Sequence, residues 1–129
     1  MKLAKEAVVH LAPDVSSLRE GRRFVAQTLR EWDADETRIE PVQLVATELV
    51  ANAIVHAGSA PVLSLGAEGA DLLLRVADES TRLPVAQTVT ADAAGGRGLL
   101  MIEALGDGWG VDANASGKVV WVEFHHTFH

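Results

Sequence analysis

The sequence predicts an α/β (α+β) two-layer sandwich: a mixed, mainly antiparallel sheet with its helices on one face. Three observations carry that expectation. Short segments of alternating apolar residues come in adjacent pairs, Pro61–Ala67 with Asp71–Ala77 and Trp109–Ala113 with Lys118–His125. Each pair is joined by a short glycine-containing turn, the signature of a hairpin. Between the first strand candidate and these hairpins lie two stretches whose apolar residues recur at helical spacing. A chain of 129 residues, 48% of them apolar, can bury a real core as one domain over residues 1–129.

In chain order, Glu6 to Leu11 (EAVVHL) is a valine-rich strand ended by Pro13 and Asp14. Asp14, Ser16 or Ser17 can cap the helix that follows, about Ser17 to Trp32. Its apolar face holds Leu18, Val25, Leu29 and Trp32, while Arg19, Arg22, Arg23 and Arg30 fall largely outside it. Those arginines form a solvated face or a docking surface for an acidic partner, and the sequence does not separate the two. Asp33–Glu40 reads as an acidic connector. Pro41 to Gly58 (PVQLVATELVANAIVHAG) then reads as a helix, with proline in its first turn and glycine just past its end. Val42, Val45, Leu49 and Ala53 mark its core face.

After the first hairpin, Glu79 to Gly96 contains Pro84, a threonine/alanine-rich tract and a double glycine, with no sustained period. A long irregular connection inside a compact domain is usually functional, and a lid over a site at about 79–97 is expected. A short helix at Gly98–Leu105 and the second hairpin complete the order β-α-α-β-β-(lid)-α-β-β. Asn114-Ala115-Ser116 matches a glycosylation acceptor but reads as turn chemistry. The residues after the last strand, 126–129, are expected to form a frayed, solvated tail, and His125, His126 and His129 are not expected to hold a metal.

The charge balance excludes one class of function. The net charge is −7, and residues 39–129 carry all of the excess, with four basic and eleven acidic residues. A nucleic-acid binder needs the opposite balance, so DNA and RNA are rejected as main ligands. The absence of cysteine excludes disulfides and thiolate metal sites and suits a cytoplasmic protein. No apolar run reaches the length of a membrane span, so no membrane partner is expected.

Three places can carry chemistry. The first is a polar stripe on the central helix, Glu48, Asn52 and His56, spaced by four. Each step of four advances only about 40° around a helix, so a carboxylate, an amide and an imidazole stand nearly in line. Polar groups are costly to bury without partners, so the stripe faces water or lines a site. The second is Gly95-Gly96-Arg97-Gly98-Leu99-Leu100. Glycines allow successive N–H groups to converge on an anion, the following helix start favours negative charge, and Arg97 adds a charged donor. Without a following Lys-Ser/Thr it is not a P-loop. The third is Asp78, where a strand leaves the sheet. Alone it reads most simply as a solvated strand-end carboxylate.

Together these resemble the gyrase, Hsp90 and histidine-kinase (GHKL) ATPase superfamily with its Bergerat-type fold. ELVANAIVHA (48–57) is similar to its N-box, ADES (77–80) to its first glycine box and GGRGLLMIEAL (95–105) to its second. Within that superfamily the chain looks most like the compact branch of bacterial anti-sigma-factor serine kinases and related ATP-binding regulators. GKVVWVEF (117–124) is also typical of that branch. The resemblance implies ATP and Mg²⁺ as ligands, with Asn52 on the metal, Glu48 as general base and Asp78 on adenine. It places Gly96, Arg97, Gly98 and Leu99 on the phosphates through backbone amides, and it leaves His56 as a helix-end residue.

It implies a protein partner, a sigma factor or an anti-anti-sigma-like antagonist, and a homodimer is one use of the first helix. Where the family continues Asp-x-Gly-x-Gly, this chain has Asp78-Glu79-Ser80-Thr81-Arg82. Two functions therefore stay open: a serine/threonine protein kinase acting on a small antagonist, and a non-catalytic anti-sigma-like module with a degenerate nucleotide site.

Overall fold

A computed structural model describes residues 3–79 and 100–129 and, at residues 56 and 57, the backbone alone. Strands β1 (Lys5–His10), β2 (Val62–Glu68), β3 (Asp71–Asp78), β4 (Gly108–Asn114) and β5 (Gly117–Phe124) make one sheet in the order β1-β2-β3-β5-β4. Every pairing among these strands is antiparallel. Helices α1 (Ser16–Glu31) and α2 (Glu36–Ala57) pack together, α2 lies against β3, and residues 100–105 are helical. The two-layer α+β sandwich expected from the sequence is therefore the fold.

Register explains why the alternating pattern works. Val9, Leu63, Val76, Val120 and Val111 stand in one row across the five strands, and Ala7, Leu65, Leu74, Val122 and Trp109 in the next. Leu63, Leu65, Leu72, Leu74, Val122 and Phe124 are fully buried beneath the helices. Side chains two apart share a face of a strand, so each alternation supplies one continuous apolar surface. Gly21 of α1 lies where an added Cβ would come within 3.6 Å of Leu63, and the small residue lets α1 settle close to the sheet.

The helix cores match expectation: Val25 and Leu29 of α1 and Val42, Val45, Leu49 and Ala53 of α2 are buried, and the four arginines of α1 are exposed. The cap position of α1 is Val15, which offers no side-chain cap; Asp14, one residue earlier, accepts the N–H of Ser16, the first helical residue, at 2.9 Å. The turn at 114–116 is built as turn chemistry, with Asn114 Oδ1 accepting the N–H and hydroxyl of Ser116, each at 2.8 Å.

Two expectations need correction. Asp33–Glu40 is not a connector, because α2 begins at Glu36 and Pro41 lies inside it, beyond the first turn. Asp35 causes the early start: its Oδ1 accepts the Thr37 N–H at 3.0 Å and the Thr37 hydroxyl at 2.7 Å, satisfying a donor that the helix leaves unpaired. Asp33, at φ 58°, reverses the chain between the two helices, and Ile39 is buried in the new first turns.

Nor is 126–129 a frayed tail. The N–H groups of Thr127 and Phe128 donate to Ala70 O at 2.8 and 3.1 Å, and Thr127 O accepts from the Asp35 N–H at 2.9 Å. Thr127 is fully buried, and the Phe128 ring stands 6.3 Å from that of Trp32, tilted by 55°. The chain end thus joins the β2–β3 turn to the α1–α2 junction. His126 and His129 nevertheless point to solvent, and no group of three or more metal-ligating side chains occurs among the described residues.

Two predictions follow from these contacts. Phe128→Ala should lower unfolding free energy by about 2 kcal/mol, through lost burial and the lost Trp32 contact, whereas His126→Ala should be near neutral in the same urea titration. The Thr37 hydrogen bonds hold the Asp35 carboxyl below its ordinary value of 3.8. A lowered folded value stabilises the fold above the unfolded one and loses that effect as pH falls through the folded one. The stability gap between the native chain and Asp35→Ala should therefore be full at neutral pH and shrink progressively as melts are taken below about pH 4.

Candidate functional site

The polar stripe of α2 lies on the flank of its buried face. Glu48 and Asn52 are both half-buried, while Leu49 and Ala53, beside them in sequence, are 5% and 3% exposed. Each step of four residues advances about 40° around the helix, so Glu48 and Asn52 stand on neighbouring parts of one flank. Glu48 opens into a surface cavity of about 300 Å³ between α1 and α2, with Arg22, Gln43 and Thr47 in its walls. Gln43 holds that groove together, its side-chain amide donating to Arg22 O at 3.0 Å. Helix α2 stops at Gly58, in the left-handed conformation at φ 63°, where glycine carries no Cβ penalty. The His56 side chain lies outside the described part.

From Gly58 the chain passes directly to the end of β3. Ser59 Oγ accepts the Glu79 N–H at 3.2 Å, which ties the exit of α2 to the exit of β3. Asp78 is the last residue of β3 and pairs in register with Lys118 near the start of β5. Both are on the helix side of the sheet, in line with the buried Leu72, Leu74 and Val76 of β3 and Val120, Val122 and Phe124 of β5. The Lys118 ammonium donates to Asp78 Oδ1 at 2.9 Å, and the two side chains are only 5% and 3% exposed. Asp78 is thus not the solvated strand-end carboxylate that it resembles in isolation. Gly117 permits the approach: a Cβ there would come 2.2 Å from Asp78 O.

Two charges on the core side of a sheet are expensive. Their attraction roughly repays their desolvation at best, and an apolar pair of similar volume is often as stable or more so. Removing one partner alone strands the other charge at a cost of about 3–5 kcal/mol. The pair is therefore weak as a stabilising device.

Asn52 and Glu48 are on one helix a turn apart, Asp78 is at the end of the strand beneath that helix, and Lys118 joins Asp78. Gly96, Arg97, Gly98 and Leu99, and the lid over 80–97, lie outside the described residues. Lys118 is legible in the sequence as one of four cations in residues 39–129, but not as the neighbour of Asp78. Its signal was a lone cation entering an apolar strand (GKVVWVEF), and only the β3–β5 register links it to Asp78.

Asn52 offers an amide oxygen, the ligand type a hard cation such as magnesium takes, and the described residues contain no all-protein cage. Magnesium characteristically binds through one or two protein oxygens together with substrate phosphates.

Known structures agree on the fold. The RsbU and RsbW domains of Rv1364c from Mycobacterium tuberculosis superpose with a TM-score of 0.74 at 19% identity, covering 98% of this chain and 35% of that one. The histidine kinase domain of the Erythrobacter litoralis EL346 blue-light activated histidine kinase gives 0.54 at 18% identity, covering 69% of this chain and 45% of that one. This chain therefore spans about a third and under half of those two. No curated protein matches it. The model of the histidine kinase-like ATPase domain matches residues 11–124, nearly the whole of the core and every element of the site, and the chain belongs to that family.

Proposed function

We propose that this chain is an ATP-binding regulatory domain that phosphorylates a serine or threonine of a small antagonist protein. The observation that carries the reading is the half-buried flank of α2, which packs on β3: Glu48 and Asn52 stand on it a turn apart, and Glu48 opens to a groove between α1 and α2. A nucleotide seated between α2 and the end of β3 would meet Asn52. Asp78 would take the adenine amine, and Gly96, Arg97, Gly98 and Leu99 would hold the phosphates through their N–H groups. Bound Mg²⁺ would offset phosphate charge and would be held by Asn52.

In the transfer step the substrate hydroxyl oxygen forms a bond to the γ-phosphorus as the bond between that phosphorus and the β–γ bridging oxygen breaks, and ADP leaves. A Glu48 carboxylate oxygen accepts the hydroxyl proton. Base catalysis of this kind contributes about 10²–10⁴ in rate, with positioning and electrostatics supplying the rest. The groove beside Glu48 is where an entering side chain could reach that oxygen. The likeness to a structure containing an RsbW domain supports a regulatory setting with a protein partner; the partner would be a sigma factor or its antagonist, and the cysteine-free sequence suits the cytoplasm. Arg19, Arg22 and Arg23 are exposed along α1 and suit an acidic partner surface or a homodimer contact.

A second reading has its own support. No glycine follows Asp78 through Arg82, so the backbone there is less free to wrap a ligand. Under it the chain binds nucleotide and partner without transferring phosphate.

Titration calorimetry with Mg-ATP tests the shared core of both readings: heat at millimolar ligand is expected for the native chain and should be lost in Asn52→Ala. Labelled ATP then divides them. Under the kinase reading Glu48→Ala should bind Mg-ATP within about twofold of the native chain but transfer phosphate at least a hundredfold more slowly. Undiminished transfer by Glu48→Ala would remove that residue from the chemistry.

A further inference from the structure

Lys118 has no part in the proposed transfer, yet its ammonium is buried on the core side of the sheet, bonded at 2.9 Å to the carboxylate assigned to the base. A carboxylate offers about four lone-pair sites and an ammonium three donors. Each partner can therefore keep the ion pair and make a further bond. Side by side, the pair presents an acceptor next to a charged donor. The adenine edge presents the complement on neighbouring atoms, a donor at the 6-amino group and an acceptor at N1. Guanine and hypoxanthine reverse it, with an acceptor at O6 and a donor at N1–H.

We propose that Lys118 is a base-reading residue, donating from Nζ to adenine N1 while Asp78 accepts from the 6-amino group. This deepens the nucleotide-binding reading above and rests on it. Three features of the chain converge on it. The in-register pairing of Asp78 with Lys118 sets donor and acceptor at one level of the sheet. Gly117, beside Lys118, lets β5 approach the Asp78 backbone more closely than any side chain would allow. Burial removes competing water, so a mismatched edge leaves buried polar groups unpaired, which is how polar sites discriminate strongly between near-isosteric ligands. It also accounts for an ion pair whose desolvation an apolar pair would have avoided.

The test is a binding comparison on the native chain with Mg-ATP, Mg-ITP and Mg-1-deaza-ATP, which keeps the amine but replaces N1 by C–H. A hydrogen bond from a charged donor is worth about ten- to a hundredfold in affinity. ATP should therefore exceed 1-deaza-ATP by that factor and ITP by at least as much. In Asp78→Asn/Lys118→Met, which leaves no buried charge and nearly preserves volume, the penalty for 1-deaza-ATP should fall to within about twofold. Equal binding of ATP and 1-deaza-ATP by the native chain would overturn the role of Lys118 and leave nucleotide binding intact. So would a full penalty persisting in the double variant. A native chain that binds none of the three would remove the nucleotide reading, and this one with it.

Discussion

Packing of α2 on the central strand β3 constrains everything else in the chain. A helix of 22 residues laid over an antiparallel sheet must be dry where it faces that sheet, and Ile39, Val42, Val45, Ala46, Leu49, Val50 and Ala53 meet the requirement. The same surface fixes the register of the strands below, because a slip of one residue in β3 would turn Leu72, Leu74 and Val76 outward. It also confines polar side chains to the helix flank and to the sheet's end. The position of the candidate site is thus a consequence of where the core stops.

How far the sequence revealed this depends on the kind of signal. Period-2 alternation located β2, β3 and β5 to within a residue or two, because burial on one face leaves a clear trace. The core face of α2 was equally plain. The start of α2 was hidden because its first turns are polar, and Pro41 looked like a helix beginning when Asp35 had already capped one. Propensity reads proline as a first-turn residue, and only the side-chain hydrogen bonds of Asp35 show that the first turn lies earlier. At the chain end, Thr127 and Phe128 are held by Ala70 and Trp32, partners distant in sequence. Long-range pairing of that sort leaves no local pattern.

The site divides along the same line. Asn52 and Glu48 were legible as a pair because helical spacing alone puts them on one stripe. Asp78 was legible as a strand end but not as half of an ion pair. Its partner comes from a strand forty residues later, and nothing in either segment alone reports the register between them. The acidic surplus over residues 39–129 makes a nucleotide ligand electrostatically demanding. The buried Lys118 would ease that difficulty only at the base end of a nucleotide seated as proposed, since its charge is already shared with Asp78. Phosphate charge would still have to be met by Arg97, by backbone N–H groups and by a divalent cation.

The geometry of the stripe bears on how binding and turnover relate. Under the proposed transfer, Glu48 and Asn52 serve one event from one helix: an entering hydroxyl would meet Glu48 at the α1–α2 groove, and the phosphate it attacks would be held a turn away at Asn52. A rigid helix fixes that spacing, so a partner docking at the groove and a nucleotide beside Asn52 would both bear on the same element. The Gln43–Arg22 hydrogen bond ties the two walls of the groove together, so a partner entering there would meet walls already joined.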